Sequence, residues 1–126
     1  MIQEYLSDLF DTWVLAEHGE VLKTVLGSGS QRVRLGEIIA LEYIIGDASN
    51  PITMTFNLYD HHGVLVHSKA LIARNATTIE RLKYVATPTT TIPIFGEGFR
   101  IGFDPSGDSG ATKITGRVRI YYEIKK

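Results

Sequence analysis

The stretch Lys113-Ile-Thr-Gly-Arg-Val-Arg-Ile-Tyr-Tyr-Glu-Ile-Lys-Lys126 decides the fold class of this chain. Ile114, Val118, Ile120, Tyr122 and Ile124 fall on one face of an extended backbone. Lys113, Thr115, Arg117, Arg119, Tyr121 and Glu123 fall on the other. Side chains alternate with a period of two along a strand, so the pattern predicts one long β-strand with a buried and a solvated face.

The same period recurs upstream. Ile52, Met54, Phe56 and Leu58 alternate with Thr53, Thr55, Asn57 and Tyr59, and Asp60-His-His-Gly63 then reads as a hairpin turn into a strand at 64–70. Glu37–Ile45 predicts a strand with Ile39, Leu41, Tyr43 and Ile45 on one face and Glu42 on the other. Thr12–Leu15 and Glu20–Leu26 read as strands around the turn-prone Glu17-His-Gly19, and Phe99–Phe103 as a short strand. Loops are expected at 27–30, 46–51, 75–78 and 104–110. Residues 78–86 fit either a helix or a strand, and their β-branched and aromatic content favours a strand; 87–93 read as extended. Ile2, Leu6, Leu9 and Phe10 stand at near-helical spacing, so residues 1–11 are expected to form a short helix or an arm.

About eight short strands, with turn signals every 8–12 residues or so, predict an all-β fold: an antiparallel, jelly-roll-like β-sandwich. No break in composition divides the 126 residues, which places them in a single domain. The 44% hydrophobic and 21% charged content is that of a soluble globular chain with an ordinary core. No apolar run nears the roughly 20 residues that cross a bilayer, and no secretory signal is legible, so synthesis in the cytoplasm without a membrane partner is expected. Cysteine is absent, which removes disulfides and thiolate metal sites.

A net charge of −1 argues against a nucleic-acid binder. The charges are unevenly spread. Residues 1–20 carry Glu4, Asp8, Asp11, Glu17 and Glu20 with no Lys or Arg, whereas 113–126 carry Lys113, Arg117, Arg119, Lys125 and Lys126 against Glu123. Two readings stand: the segments steer neighbouring copies together, or they neutralise each other within one subunit.

Candidate chemistry is sparse. His61, His62 and His67 beside Asp60 have the side chains for a transition metal, but adjacent turn residues point apart, so a solvated turn is preferred. Asp104-Pro-Ser-Gly-Asp-Ser-Gly110 alternates oxygen donors as calcium loops do, yet lacks the closing acid. Gly27-Ser-Gly-Ser-Gln-Arg32 lacks the Gly-Lys-Ser/Thr ending of a phosphate loop, and Gly96-Glu-Gly98 suits a bend. Trp13, Tyr59, Tyr84, Tyr121 and Tyr122 have the rings for stacking on sugars or bases, although a cross-strand ladder explains Arg117, Arg119 and Tyr121 equally well. No catalytic residue, metal site or cofactor is assigned.

The Asp60-His-His-Gly63 hairpin, the Ile92-Pro-Ile-Phe-Gly-Glu-Gly98 segment and the terminal Val118-Arg-Ile-Tyr-Tyr-Glu123 strand together resemble, over residues 37–126, small virion proteins of tailed bacteriophages. Capsid decoration (cement) proteins and head or tail accessory proteins are the nearest in style. The resemblance implies a non-enzymatic structural protein of the virion, made in the host cytoplasm and bound to the major capsid or another virion protein. It also implies self-association, with trimers common. Ile2, Tyr5, Leu6, Leu9 and Phe10 form an apolar stripe that suits such an interface, joined by Arg117, Arg119 and Tyr121 on the last strand. The alternatives are a carbohydrate-binding sandwich using Trp13 and outward tyrosines, and a small jelly-roll enzyme gathering histidines and a carboxylate in a pocket.

Overall fold

The computed structural model describes residues 2–7, 9–10, 21–25, 36–94 and 98–124. The strand expected at 12–15 with Trp13, the turn at 17–19 and the loop at 27–32 lie outside the described residues. Among the described residues there are nine strands: β1 (Ile2–Leu6), β2 (Val21–Val25), β3 (Gly36–Ile45), β4 (Thr53–Asp60), β5 (Leu65–Ala73), β6 (Ala76–Arg81), β7 (Ile92–Ile94), β8 (Phe99–Pro105) and β9 (Gly116–Ile124).

They form two antiparallel sheets of a β-sandwich. The first has the order β1-β9-β3-β6, with β7 also on β3, and the second has the order β2-β8-β4-β5. The long terminal strand is central because its apolar face is needed in the core: Val118, Ile120 and Tyr122 are buried, while Ile124 at its end is exposed. From the second sheet, β4 lines the same core with Met54, Phe56 and Leu58, all fully buried. Side chains of this kind each contribute about 1.5–3 kcal/mol when taken out of water. Phe103 sits at the middle of the core, 5.0 Å from the Phe10 ring edge-on and 5.3 Å from Phe56.

Residues 2–6 form a strand and no helix. Tyr5 pairs with Ile120 and Gln3 with Tyr122 in register, so the open edge of β9 recruits this segment as a ladder partner. Phe10 then bridges to Gly116 and is fully buried. The strand expected from Glu37 to Ile45 also differs in phase. A bulge between Ile38 and Ala40 inserts Ile39 as an extra residue, so Ile38, Leu41, Tyr43 and Ile45 form the core face and Ile39 turns outward. The loop expected at 75–78 shrinks to a turn at 74–75, with Asn75 at φ 52°, and the ambiguous segment at 78 opens as part of strand β6.

The Asp60 turn forms as expected. Asp60 Oδ1 accepts the amides of His62 and Val64, both at 2.9 Å, and Gly63 takes φ 82°. At the other end, the 104–110 segment braces the loop at 46–53. Asn50 Nδ2 donates to Asp108 O, Thr53 N to Ser106 Oγ, and Ile114 N to the buried Ser109 Oγ. Those oxygens are held by the protein's own amides. Asp104, on β8, faces away from them beside Thr55.

Candidate interaction surface

The outer face of the first sheet is built by register. Ladder partners share a face, so Ile2, Glu123 and Glu37 form one cross-strand row, Glu4, Tyr121, Ala40 and Arg81 the next, and Leu6, Arg119, Glu42 and Ile79 the third. The Ile39 bulge adds one more apolar side chain to this face. A hollow of about 190 Å³ lies there, lined by Ile2, Ile39, Ala40, Ile79, Tyr84 and Tyr121 and rimmed by Arg81 and Lys83. Ile2 is 55% exposed, Ile79 38% and Tyr84 64%.

Two ionic clusters flank the hollow. Arg119 Nη1 meets Glu4 Oε1 at 3.0 Å, and its Nε donates to Glu42 Oε1 at 3.1 Å. Lys83 Nζ reaches Glu37 Oε1 at 2.5 Å and Glu123 at 3.3 Å, and lies 5.1 Å from the centre of the Tyr84 ring. Tyr84, at φ 61°, donates its hydroxyl to Glu123 Oε1 at 2.6 Å, and Thr91 donates to Glu37 Oε2 at 2.7 Å. The hydrogen bond from Tyr84 leads in holding the Glu123 carboxyl below its ordinary pKa. The bond to Glu37 leads in raising that of Lys83. These groups stay ionised across neutral pH and are fixed in place. Arg81 alone among the rim cations makes no ion pair among the described residues.

The residues proposed from sequence as an interface are divided by this geometry. Ile2 and Tyr121 converge on the hollow, and Arg119 stands one row below it. Arg117 donates Nε to Ser7 O on the same sheet, Leu6 is half-buried, and Leu9 is 40% exposed. Tyr5 packs against the core and Phe10 is inside it, so Phe10 presents no surface. The acidic start and basic end of the chain are joined within one subunit by Glu4 and Arg119. Sequence reading singles out Tyr84 only as a ring able to stack, and misses Ile39, Ile79, Arg81 and Lys83 as part of this surface, because a bulge and non-local pairing bring them together. The outward position of Tyr121 between Arg119 and Glu123 on a strand with period two was the available signal.

A second apolar surface lies on β5, the outer strand of the other sheet. Val64 is 57% exposed, Leu65 51%, Val66 41% and Leu71, at φ 58°, 80%. Edge strands are usually guarded by charge and by bulges. Two register shifts place Val66 and one residue of the pair Ala70–Leu71 as extra residues of β5.

The histidines behave differently from one another. His61 and His62 stay on the exposed turn with rings 3.9 Å apart. His67 points between the sheets, where Nε2 lies 2.8 Å from Glu80 Oε1, the same oxygen that accepts the buried Tyr43 hydroxyl at 2.7 Å. An ionised carboxylate only accepts, so Nε2 carries the proton in this bond. The pair borders an open cleft of about 500 Å³ with Thr89, Thr90 and Thr91. It joins β5 of one sheet to β6 of the other. Among the described residues, no group of three or more His, Cys, Asp or Glu side chains is placed to hold a metal ion, and no helix is long and apolar enough to cross a membrane.

A scan against protein-family models and a search of curated proteins find no match to this chain.

Proposed function

We propose that this chain is a structural virion protein, a capsid decoration (cement) protein or a head–tail accessory protein of a tailed bacteriophage. In this reading it acts without catalysis, binding a protein lattice as an oligomer. The observation that carries the reading is the outer face of the first sheet: an apolar hollow with an exposed tyrosine, set among charges already neutralised. Among the described residues lining the hollow, Arg81 is the one charge without an ion pair, so covering the hollow desolvates few unpaired charges, and aromatic and arginine side chains are the residues that concentrate binding energy at interfaces. The exposed β5 edge supplies a second surface, so one subunit has the means to meet both a neighbour and a lattice. We read the strand orders β1-β9-β3-β6 and β2-β8-β4-β5 as a jelly roll, an architecture used by viral capsid and lectin domains.

The exposed Tyr84 also favours a carbohydrate platform. That reading is weaker, because the Lys83 ammonium stands near the ring and Glu123 takes the hydroxyl. The test is mass spectrometry of density-purified tailed particles from the culture that encodes the chain. Many copies per particle are expected, with fewer after Tyr84→Asp. Particles lacking the chain contradict the proposal.

A further inference from the structure

The two apolar surfaces of this subunit face different directions. The hollow opens on the outer side of the first sheet, whose inner side packs on the second. The β4–β5 hairpin belongs to the second sheet, so it has no route to the hollow of its own subunit.

They also match. The hairpin carries Val64 and Leu65 more than half exposed beside the Asp60 carboxylate. Oδ1 of that carboxylate is occupied by the His62 and Val64 amides, which leaves Oδ2 without a hydrogen bond among the described residues. The hollow offers about 190 Å³ of largely apolar lining and, at its rim, the Arg81 guanidinium, which makes no ion pair among the described residues. An apolar cavity of roughly 150 Å³ takes up a benzene molecule, so this one has room for a branched aliphatic side chain. The hairpin presents an anion beside aliphatic residues, and the hollow presents a cation beside aliphatic and aromatic ones.

We infer that the occupant of the hollow is the β4–β5 hairpin of a second copy of this chain, with Val64 and Leu65 inserted and Asp60 facing Arg81. The inference rests on the assembly reading above and specifies how copies meet. The contact joins two different patches. Exchanged reciprocally it closes as a two-fold pair, and made once per subunit it propagates head to tail until a ring closes. The remaining exposed edge around Leu71 stays free on every copy.

The test uses the full chain and light scattering after size exclusion. The wild type is expected at the mass of two or more 14.0 kDa subunits. A hairpin variant carrying Val64→Glu and Leu65→Glu, and a hollow variant carrying Ile79→Glu and Arg81→Glu, are each expected as monomers. Their equimolar mixture keeps one intact contact and is expected at the mass of two subunits. A monomeric wild type, a variant that keeps the wild-type mass, or a mixture that stays monomeric overturns the inference. Circular dichroism and cooperative unfolding establish that the variants fold. Where a double variant does not, Leu65→Glu and Arg81→Glu alone carry the same comparison. Loss of assembly with particle occupancy retained removes this inference alone, and assembly without particle occupancy removes the virion reading alone.

Discussion

Arg119 Nη1 lies 3.0 Å from Glu4 Oε1, and this contact ties the acidic beginning of the chain to its basic end across the β1–β9 ladder. The charge asymmetry of the sequence is thus partly spent inside the subunit. The same guanidinium reaches Glu42 on β3, so a single side chain crosses three strands.

The Arg119 contacts lie at the surface and are screened by salt. Arg119→Met is expected to lower the melting temperature in dilute buffer, with a difference from wild type that shrinks at molar salt. A difference independent of salt contradicts an electrostatic role.

Phe10 tests whether the N-terminal segment is part of the core. It is fully buried against Phe103, so Phe10→Ala removes a ring that the surroundings refill only in part. A loss of about 3–5 kcal/mol in urea unfolding is expected. A change below about 1 kcal/mol is the contrary result, that of a surface arm.

The phase of β9 was legible from sequence because its two faces differ in polarity for nine residues without interruption. The Asp60 turn was legible because its chemistry is local: one carboxylate, two amides and a glycine. β1 was not, because residues 2–10 carry a helical spacing that only the open edge of β9 overrides. The Ile39 bulge was not either. Nothing in Glu-Ile-Ile-Ala-Leu says which isoleucine is extra, and the shift is set by pairing with Tyr121 and Tyr122 eighty residues away or so. The hollow inherits that gap. Ile2 and Tyr121 were recognised as outward or apolar and Tyr84 as a stacking ring, whereas Ile79 and Arg81 come from a segment of mixed period whose face is decided by β3.

Gly63 takes φ 82° and a Cβ there meets nothing within 4 Å, so its cost to an L-residue is conformational alone. Gly63→Ala is expected to cost roughly 1–2 kcal/mol. Gly63→Asn is expected to cost less, because Asn tolerates the left-handed region. Equal losses for the two substitutions contradict this.

Gly36 behaves in another way. Its φ is ordinary, but an added Cβ runs into the carbonyl oxygen of Glu123 across the β3–β9 ladder. Gly36→Ala is expected to cost about 1–3 kcal/mol through overpacking. A neutral result in chemical denaturation shows that the ladder is looser at this end.

The Glu80 carboxylate gives the fold an acid dependence. Burial raises its pKa, but hydrogen bonds from His67 and Tyr43 outweigh burial and hold it below the ordinary 4.5. A folded pKa below the unfolded one stabilises the native state above the unfolded value, and that stability is lost as pH falls through the folded value. Glu80→Gln is therefore expected to be less stable than wild type near neutral pH, with the gap closing below pH 4.5. Tyr43→Phe removes one donor and is expected to cost about 1–2 kcal/mol at neutral pH. A gap between wild type and Glu80→Gln that widens on acidification reverses the sign and rules this out.

The central claim is that the outer face of the first sheet is covered when the protein is at work. Hydroxyl-radical footprinting of the particle-bound chain against the free monomeric hairpin variant measures this directly, side chain by side chain. Tyr84, Ile79 and Ile2 are expected to lose most of their reactivity on assembly, while Tyr43, already buried, is unchanged. Undiminished oxidation of Tyr84 and Ile79 in the particle contradicts the claim.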